Sequence, residues 1–248
     1  MCSALTEPTL TEPTPGHPPQ SQTAASHNLL GQRLGRKGRD TRERILAAMA
    51  RLMSKPGSEP VSLSAVAREA SVGMTTLYLY FADLGELLLS ALEPVIADIG
   101  SFNDLARFRW PDDRLEACCI AYVEAHYAYW ARHARLLHMR NSFADANDVR
   151  FLRLRVRASA PQIANLVRQM DGDVEDRASP CLNLAVVLIT GIERLTTAST
   201  NPNFPIVARE AGLKLEVPVI AQLHAKAHIL MLVIQDQRTH HRSLCETS

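Results

Sequence analysis

The amino-acid sequence predicts an all-α protein, in which an N-terminal three-helix DNA-binding domain with a helix-turn-helix motif precedes a larger C-terminal helical domain. Three observations favour this class. Apolar residues recur at helical spacing from residue 33 onward, and no convincing pair of alternating strands appears. Two short helical patterns joined by a tight turn follow a longer one, which is the helix-turn-helix plan. The 248 residues allow one or two domains with a sizeable core.

The first segment, residues 1–32, is predicted to be a disordered extension. It contains no Lys or Arg and five of the fourteen prolines, among Thr, Ser and Gln. Such a composition cannot bury enough apolar surface to offset the entropy of ordering, although a partner-binding tail is an alternative. The rest of the chain divides into a DNA-binding domain at 33–93, an effector-binding and dimerisation domain at 94–236, and a flexible tail at 237–248.

Positive charge is concentrated in the second of these segments. The whole chain carries a formal charge of only +1, but residues 33–90 contain nine Lys or Arg against six Asp or Glu. Four of these cations lie between Arg33 and Arg39, as expected of a small domain that meets a polyanion.

The elements of the DNA-binding domain follow in order. The spacing of Ile45, Met49 and Met53 predicts a first helix, which Asp40 or Thr41 can cap. A second helix starts after Ser62, a turn lies at 71–73, a third helix covers 75–81, and Asp83 caps a fourth that contains Pro94.

The third helix has the properties of a recognition helix. Leu77 and Phe81 are four residues apart and form its inward face. The outward face presents hydroxyl groups, which can bond phosphates or base edges, and a leucine, which can touch a thymine methyl. These outward residues are Thr75, Thr76, Tyr78, Leu79 and Tyr80.

Three stretches together resemble the DNA-binding region of the TetR family of bacterial repressors. They are Thr41-Arg42-x-x-Ile45-Leu46, Val66-Ala67-x-x-Ala70 and Thr76-Leu77-Tyr78-x-Tyr80-Phe81. The likeness covers about residues 38–90 and implies a helix-turn-helix motif at 62–81. It also implies that Thr76, Tyr78 and Tyr80 grip phosphates, and that Gly73, Met74, Thr75 and Leu79 lie near the bases.

The chain departs from the family pattern at three positions. Leu84 stands where the family usually has Lys, Met74 where a basic or polar residue is frequent, and Ser71 where Gly is common. The first two departures remove backbone contacts, and each lost contact lowers the salt slope of binding by about 0.9. We therefore expect Arg36, Lys37 and Arg39, which form a basic arm, and Arg42 to contribute to affinity. With Ser62, they complete the predicted DNA-binding residues.

The second domain is predicted to contain four long helices. They cover residues 114–140, 150–170, 180–198 and 218–235, with loops at 171–173 and 201–205. Ser179-Pro180 is the N-cap and first-turn pair of the third of these helices.

Aromatic side chains cluster on the first of these helices and beside it. Several recur three or four residues apart and share one broad face, which predicts an apolar ligand pocket with a few polar groups, although ordinary core packing is an alternative. The predicted lining residues are Trp110, Tyr122, His126, Tyr129, Trp130, His133 and Phe143.

The last two long helices carry continuous apolar stripes. A palindromic operator needs two recognition helices about 34–36 Å apart, so DNA geometry itself requires a dimer. We therefore predict a four-helix dimer interface, with burial inside one subunit as the alternative. Its residues are Leu184, Leu188, Gly191, Leu195, Leu223, Ala227 and Leu230.

Several other classes are disfavoured. The five cysteines form no C-x-x-C pair, and His126 and His133 lack a third ligand, so we expect no metal, cofactor or disulfide framework. We found neither a secretion signal nor a membrane-length apolar run, which favours a cytoplasmic protein without membrane contact. No hydrolase, phosphate-loop or dinucleotide motif supports an enzyme.

These observations predict a homodimeric repressor that binds double-stranded DNA at a palindromic operator. An unknown small-molecule effector would shift the fourth helix, with a joint near Pro94, and release the DNA. An activator of the same fold, or a helical protein-interaction module that no longer binds DNA, remains an alternative.

Overall fold

The computed structural model describes residues 29, 31–54, 61–176, 179–212 and 218–246, excluding the side chains of 242–246. The predicted disordered extension lies outside these residues except for Leu29, Gly31 and Gln32. All regular elements in the described part are helical, so the predicted all-α class is confirmed. The α-helices are α1 (Arg36–Ser54), α2 (Leu63–Glu69), α3 (Met74–Tyr78), α4 (Leu84–Ala97), α5 (Gly100–Asn103), α6 (Leu115–Asp145), α7 (Val149–Gln169), α8 (Pro180–Ser199), α9 (Phe204–Glu210) and α10 (Val219–Glu246), with 3-10 turns at Asp104–Ala106 and Asp112–Arg114.

The N-terminal domain is formed by α1, α2 and α3 packed against the start of α4. Ile45, Val66, Leu77 and Phe81 are at most 1% exposed and form its centre. The predicted caps at Ser62 and Asp83 are present, because the Ser62 side chain accepts from the amide of Ala65 and the Asp83 side chain from that of Glu86. Asp40 and Thr41, predicted to cap the first helix, lie inside α1 instead.

Helix α1 begins earlier than predicted. The sequence placed Arg36, Lys37 and Arg39 in an arm before the helix, but all three lie in its first turns. These cations stand at the end of the helix where the macrodipole is positive, so local electrostatics alone does not favour them there.

The C-terminal domain packs α6 and α10 side by side, with α7 and α8 against them. Helix α6 is kinked at His133, which has φ −112° and ψ 17°. Helix α8 is long and apolar enough to cross a membrane by length and composition alone. Here it packs against α6, α7 and α10 and buries Ala185, Ile189 and Ile192.

The C-terminal end of the chain differs from the prediction. Residues 237–248 were expected to form a flexible tail, but α10 continues to Glu246. Arg238 is 1% exposed and donates to the carbonyl oxygens of Gln169, at 2.7 Å, and Trp110, at 3.1 Å, and to Asp112 Oδ1 at 2.5 Å. The polar composition after Gln235 suggested solvation, whereas one arginine fastens this segment to the core.

Short helices were missed where local patterns were weak. The predicted loop at 201–205 contains the start of α9, and α5 precedes the aromatic face of α6 without a periodic signal of its own. Each is at most seven residues long and depends on its packing against longer helices.

Replacing the buried Arg238 should destabilise the fold. Arg238→Met leaves two buried carbonyl groups without their charged donor and removes the ion pair with the half-exposed Asp112, so we expect the free energy of unfolding to fall by about 2–3 kcal/mol. Chemical denaturation followed by circular dichroism measures this change. Arg157→Met is the matched control, because Arg157 is exposed on α7 and should change stability by less than about 0.5 kcal/mol. An equal effect of both substitutions contradicts the anchoring role.

Candidate nucleic-acid interface and ligand site

The outer surface of α3 is held in place by two inward residues. Leu77 is fully buried and Phe81 is 1% exposed, while Tyr78 and Leu79 are 49% and 39% exposed. The recognition surface therefore projects from a rigid apolar base. Of the predicted DNA-binding residues, Arg36, Lys37, Arg39, Ser62, Gly73, Thr75, Tyr78 and Leu79 are exposed, and Arg42, Met74, Thr76 and Tyr80 are half-buried.

Two of the half-buried residues also have roles inside the domain. Arg42 donates to Ser90 Oγ at 3.0 Å and lies 5.2 Å from the centre of the Phe81 ring, so it ties α1 to α4. Met74 packs against the hydrophobic core. Both side chains thus help to position α3, which the sequence alone did not indicate.

The turn between α2 and α3 requires a left-handed residue. Ser71 has φ +53°, and the amide of Val72 donates to the carbonyl of Ala67 at 2.9 Å. Serine takes this conformation at some cost, because its Cβ crowds the backbone.

An ion pair that sequence reasoning missed joins the N-terminus of α4 to the second domain. Arg150 on α7 binds Asp83 at 3.2 Å and Asp148 at 2.8 Å. A Cβ on Gly85 would lie 2.6 Å from the Arg150 guanidinium, so a larger residue there would displace the end of this side chain. No local pattern links residues this far apart in sequence.

The aromatic side chains of the second domain form a compact cluster. Trp110, Tyr122, His126, Tyr129 and Trp130 are all less than 5% exposed. They surround Phe102 of α5, which sequence reasoning missed and whose ring centre lies 6.0 Å from Tyr122, 5.2 Å from His126 and 5.3 Å from Tyr129.

The two remaining predicted pocket residues lie elsewhere. Phe143 stacks on Phe151, with ring centres 4.7 Å apart, and is directed toward α7. His133 lies at the kink of α6, 3.2 Å from Asp98 and 5.3 Å from the Tyr129 ring. It is half-buried and lines a cleft of about 600 Å³ between α1, α4 and α6.

Four buried polar atoms on α5, α6 and α7 lack a partner within the described residues, and two of them belong to the aromatic cluster. They are Asn103 Oδ1, Tyr122 OH, His126 Nδ1 and Gln162 Oε1. Burial, reinforced by the charges of Lys226 and Arg140, lowers the pKa of His126 to about 3, so this imidazole is neutral. Buried polar atoms are almost always hydrogen-bonded, so these four atoms are suited to receive a bound molecule or water.

The predicted dimer residues fall into two groups. Leu188, Leu223, Ala227 and Leu230 are at most 9% exposed and lie in the core of the single chain, which contradicts their assignment to a subunit contact. Leu184 is half-buried, whereas Gly191 and Leu195 are exposed. Other apolar residues are exposed on these two helices, among them Val187 and Leu195 on α8 and Ile229 and Leu232 on α10, all at least 49% exposed.

The part of the chain that the structure describes contains no group of three or more His, Cys, Asp or Glu that could hold a metal ion.

The N-terminal domain is similar to known regulators. Residues 45–91 match the family described as "Bacterial regulatory proteins, tetR family". The "HTH-type transcriptional repressor KstR" of Mycolicibacterium smegmatis is 48% identical over 68 residues, which are 27% of this chain and 33% of the relative. The KstR of Rhodococcus jostii is 40% identical over 78 residues, which are 32% of this chain and 37% of the relative. The KstR of Mycobacterium tuberculosis is 42% identical over 66 residues, which are 27% of this chain and 30% of the relative.

This chain therefore spans about a third of the length of the curated relatives it matches. The matches confirm the resemblance inferred from the three N-terminal stretches.

The conformation of Ser71 can be tested by two substitutions that differ mainly in their tolerance of positive φ. Ser71→Val places a β-branched side chain in the left-handed region, and we expect the free energy of unfolding to fall by about 1–2 kcal/mol. Ser71→Asn, which tolerates this region, should stay within about 0.5 kcal/mol of the wild type. Thermal or chemical denaturation of the three proteins measures both values. Equal effects of Val and Asn would show that the turn does not need a left-handed residue.

Proposed function

We propose that this chain, whose N-terminal domain belongs to the TetR family of bacterial regulatory proteins, is a DNA-binding transcriptional repressor that acts as a homodimer and leaves its operator when an effector binds. The observation that carries the proposal is the outward face of α3. It exposes Tyr78 and Leu79 beside Thr75 and contains no acidic residue, while its inward face is fixed by Leu77 and Phe81.

The start of α1 supports contact with a polyanion. Arg36, Lys37 and Arg39 are exposed at the start of the helix, whose first turn contains no acidic residue to compensate the macrodipole. A phosphate near this end would be attracted by three side chains and by the helix itself. In this proposal the cations supply affinity, and the face of α3 supplies discrimination between sequences.

A dimer would place two such faces on successive turns of DNA. The exposed apolar face of α8 and α10 supplies a surface that a second copy could cover. Isolated apolar side chains on a surface are ordinary, but several on two adjacent helices are a candidate interface. The proposed contact therefore uses Val187, Leu195, Ile229 and Leu232 in place of the core residues predicted from sequence.

The effector would act on α4 through the aromatic cluster. Tyr129 is 4% exposed and its hydroxyl donates to the carbonyl of Val95 in α4 at 3.2 Å. A ligand that moved Tyr129 would therefore move the C-terminal half of α4, next to Pro94. Because α4 also packs against α1, the orientation of the DNA-binding domain would change. A coupling free energy of about 1–3 kcal/mol would lower operator affinity about 5–150-fold.

In this proposal the protein works in the cytoplasm, with double-stranded DNA and a second copy as its partners. It requires neither a catalytic residue nor a cofactor.

A DNA titration tests the repressor proposal. With the upstream intergenic fragment as probe, wild type should bind in a salt-sensitive and competitor-resistant manner. Leu79→Ala should weaken specific binding by about 1–3 kcal/mol, because it removes an exposed side chain that the family resemblance places near the bases. A triple Ala substitution of Arg36, Lys37 and Arg39 should instead weaken binding to all sequences and reduce the salt slope by up to about 3.

The control for this titration is Arg157→Ala, which removes an exposed cation from the other domain. If wild type does not retain the fragment even at low salt, the DNA-binding proposal is wrong.

The dimer contact can be tested by charge. A double substitution Leu195→Glu and Ile229→Glu puts two carboxylates on the exposed apolar face, and we expect it to give monomers in sedimentation, because facing copies would bury four like charges. Operator affinity should fall with it. Val156→Glu, an equally exposed apolar residue on α7, should leave the dimer intact. A dimer that survives the double substitution excludes this face.

A further inference from the structure

Lys226 is a buried cation in the apolar inner face of α10. It is 5% exposed and lies between Leu223 at 6% and Ala227 at 2%. Its ammonium group donates to Thr196 Oγ1 of α8 at 3.1 Å. An ammonium has three donors, so one hydroxyl leaves most of its hydrogen-bonding capacity unused.

The charge of Lys226 is not neutralised by the described residues. Burial lowers the pKa of this lysine, and no carboxylate acts on it from the described part of the chain to raise it. The other buried cation nearby, Arg140, is 4% exposed and already binds Glu193 at 2.6 Å. The region between α6, α8 and α10 thus holds two cations and one anion, which leaves one positive charge.

An uncompensated charge in such a position is unfavourable for folding alone, since burial removes its hydration. Structures keep such groups at functional sites, where a ligand supplies the opposite charge. Because one positive charge is left over, a monoanion balances it, whereas a dianion would leave the region negative.

The unpartnered atoms of the aromatic cluster lie within electrostatic reach of this lysine. The charge of Lys226 contributes to the lowered pKa of His126, whose neutral Nδ1 has no partner within the described residues. Tyr122 OH, one turn earlier on α6, is likewise unpartnered. A charged group bound to Lys226 would therefore lie beside the polar atoms of His126 and Tyr122 and beside the apolar rings of the cluster.

We propose that Lys226, assisted by Thr196 and the imidazole of His126, binds the carboxylate of the effector, and that the effector is a monocarboxylic acid whose apolar body lies against the aromatic cluster. This inference rests on the proposed function, because it names the chemical class of the molecule that releases the repressor. The neutral imidazole donates from Nδ1 to the carboxylate, and no bond forms or breaks.

In this proposal the acid enters through a cleft on the other side of Arg140. A cleft of about 470 Å³ between α6, α7 and α8 is lined in part by Asn141 and Glu193. Both residues bind Arg140, whose guanidinium lies 5.5 Å from the centre of the Trp130 ring. Arg140 therefore contacts both the lining of the cleft and the cluster, and a small side-chain movement would connect them.

The experiment compares the binding of acids with that of alcohols of the same shape to this protein. Decanoate and 2-naphthoate are titrated beside decanol and 2-naphthalenemethanol, and binding is followed by tryptophan fluorescence. Both tryptophans of the chain, Trp110 and Trp130, lie in the cluster, so the signal reports this site. We expect at least one acid to bind about tenfold or more tightly than its alcohol.

Lys226→Met should remove that preference, because it should weaken binding of the acid and leave binding of the alcohol unchanged or tighter. It should also raise the melting temperature of the protein without probe, because it removes a buried unpaired charge. Arg157→Met, which removes an exposed cation from the same domain, should keep the preference for the acid.

Three outcomes overturn the inference. The first is that neither acid binds more tightly than its alcohol in wild type. The second is a lower melting temperature for Lys226→Met, which would mean that the lysine has a neutralising partner in the folded protein. The third is loss of the dimer in Lys226→Met, which would assign the charge to the subunit contact. Operator binding measured on the same samples distinguishes failure of this inference from failure of the proposed function. If the protein binds DNA but does not prefer the acid, only this inference fails. If the protein does not bind DNA, the proposed function fails.

Discussion

Helix α4 packs its apolar face into the core that the two domains share, and this constraint governs the rest of the structure. Its residues Leu87, Leu88 and Leu92 are fully buried, and Val95 is 3% exposed, within one continuous core that runs from Ile45 of α1 to Ile234 of α10. Protein interiors are closely packed, so such a helix cannot move without its neighbours. The ends of α4 are also bound to the second domain, through Asp83 to Arg150 and through Asp98 to His133. The two domains are therefore connected through α4, so a displacement of this helix in one domain is transmitted to the other.

The elements that could be predicted from sequence are those with strong local signals. The apolar spacing in α1 and the side-chain caps at Ser62, Asp83 and Ser179 placed the main helices, because these interactions join residues only a few positions apart. The end of α10 could not be predicted in this way. Its order depends on Arg238, whose partners Trp110 and Asp112 lie more than 120 residues earlier. Local composition contains no information about a contact of that length.

The difference between local and long-range interactions also explains which residues of the candidate sites could be predicted. The face of α3 was predictable because inward and outward residues alternate with the helical period, and burial of Leu77 with exposure of Tyr78 follows that pattern. The apolar stripes of α8 and α10 were not assigned correctly, because both helices have apolar residues on two faces. Sequence shows that Leu230 and Ile229 are apolar, but only packing shows that Leu230 is inside and Ile229 is 55% exposed. The inner stripe also concealed Lys226, which in a sequence resembles a solvated break in the pattern.

Both proposed ligands are anions that would neutralise positive charge, one at the exposed surface and the other in the protein interior. At the start of α1 the cations are exposed, so water and salt screen them, and each contributes a small, salt-dependent attraction to phosphate. Lys226 lies where screening is weak, so one charge there can hold a small molecule that offers only one carboxylate. Helix α4 lies between these two regions. If bound DNA and bound acid favour different positions of the helix, each ligand weakens the binding of the other, and by the same factor. A bound operator would therefore weaken the binding of the acid by the factor by which the acid weakens the operator.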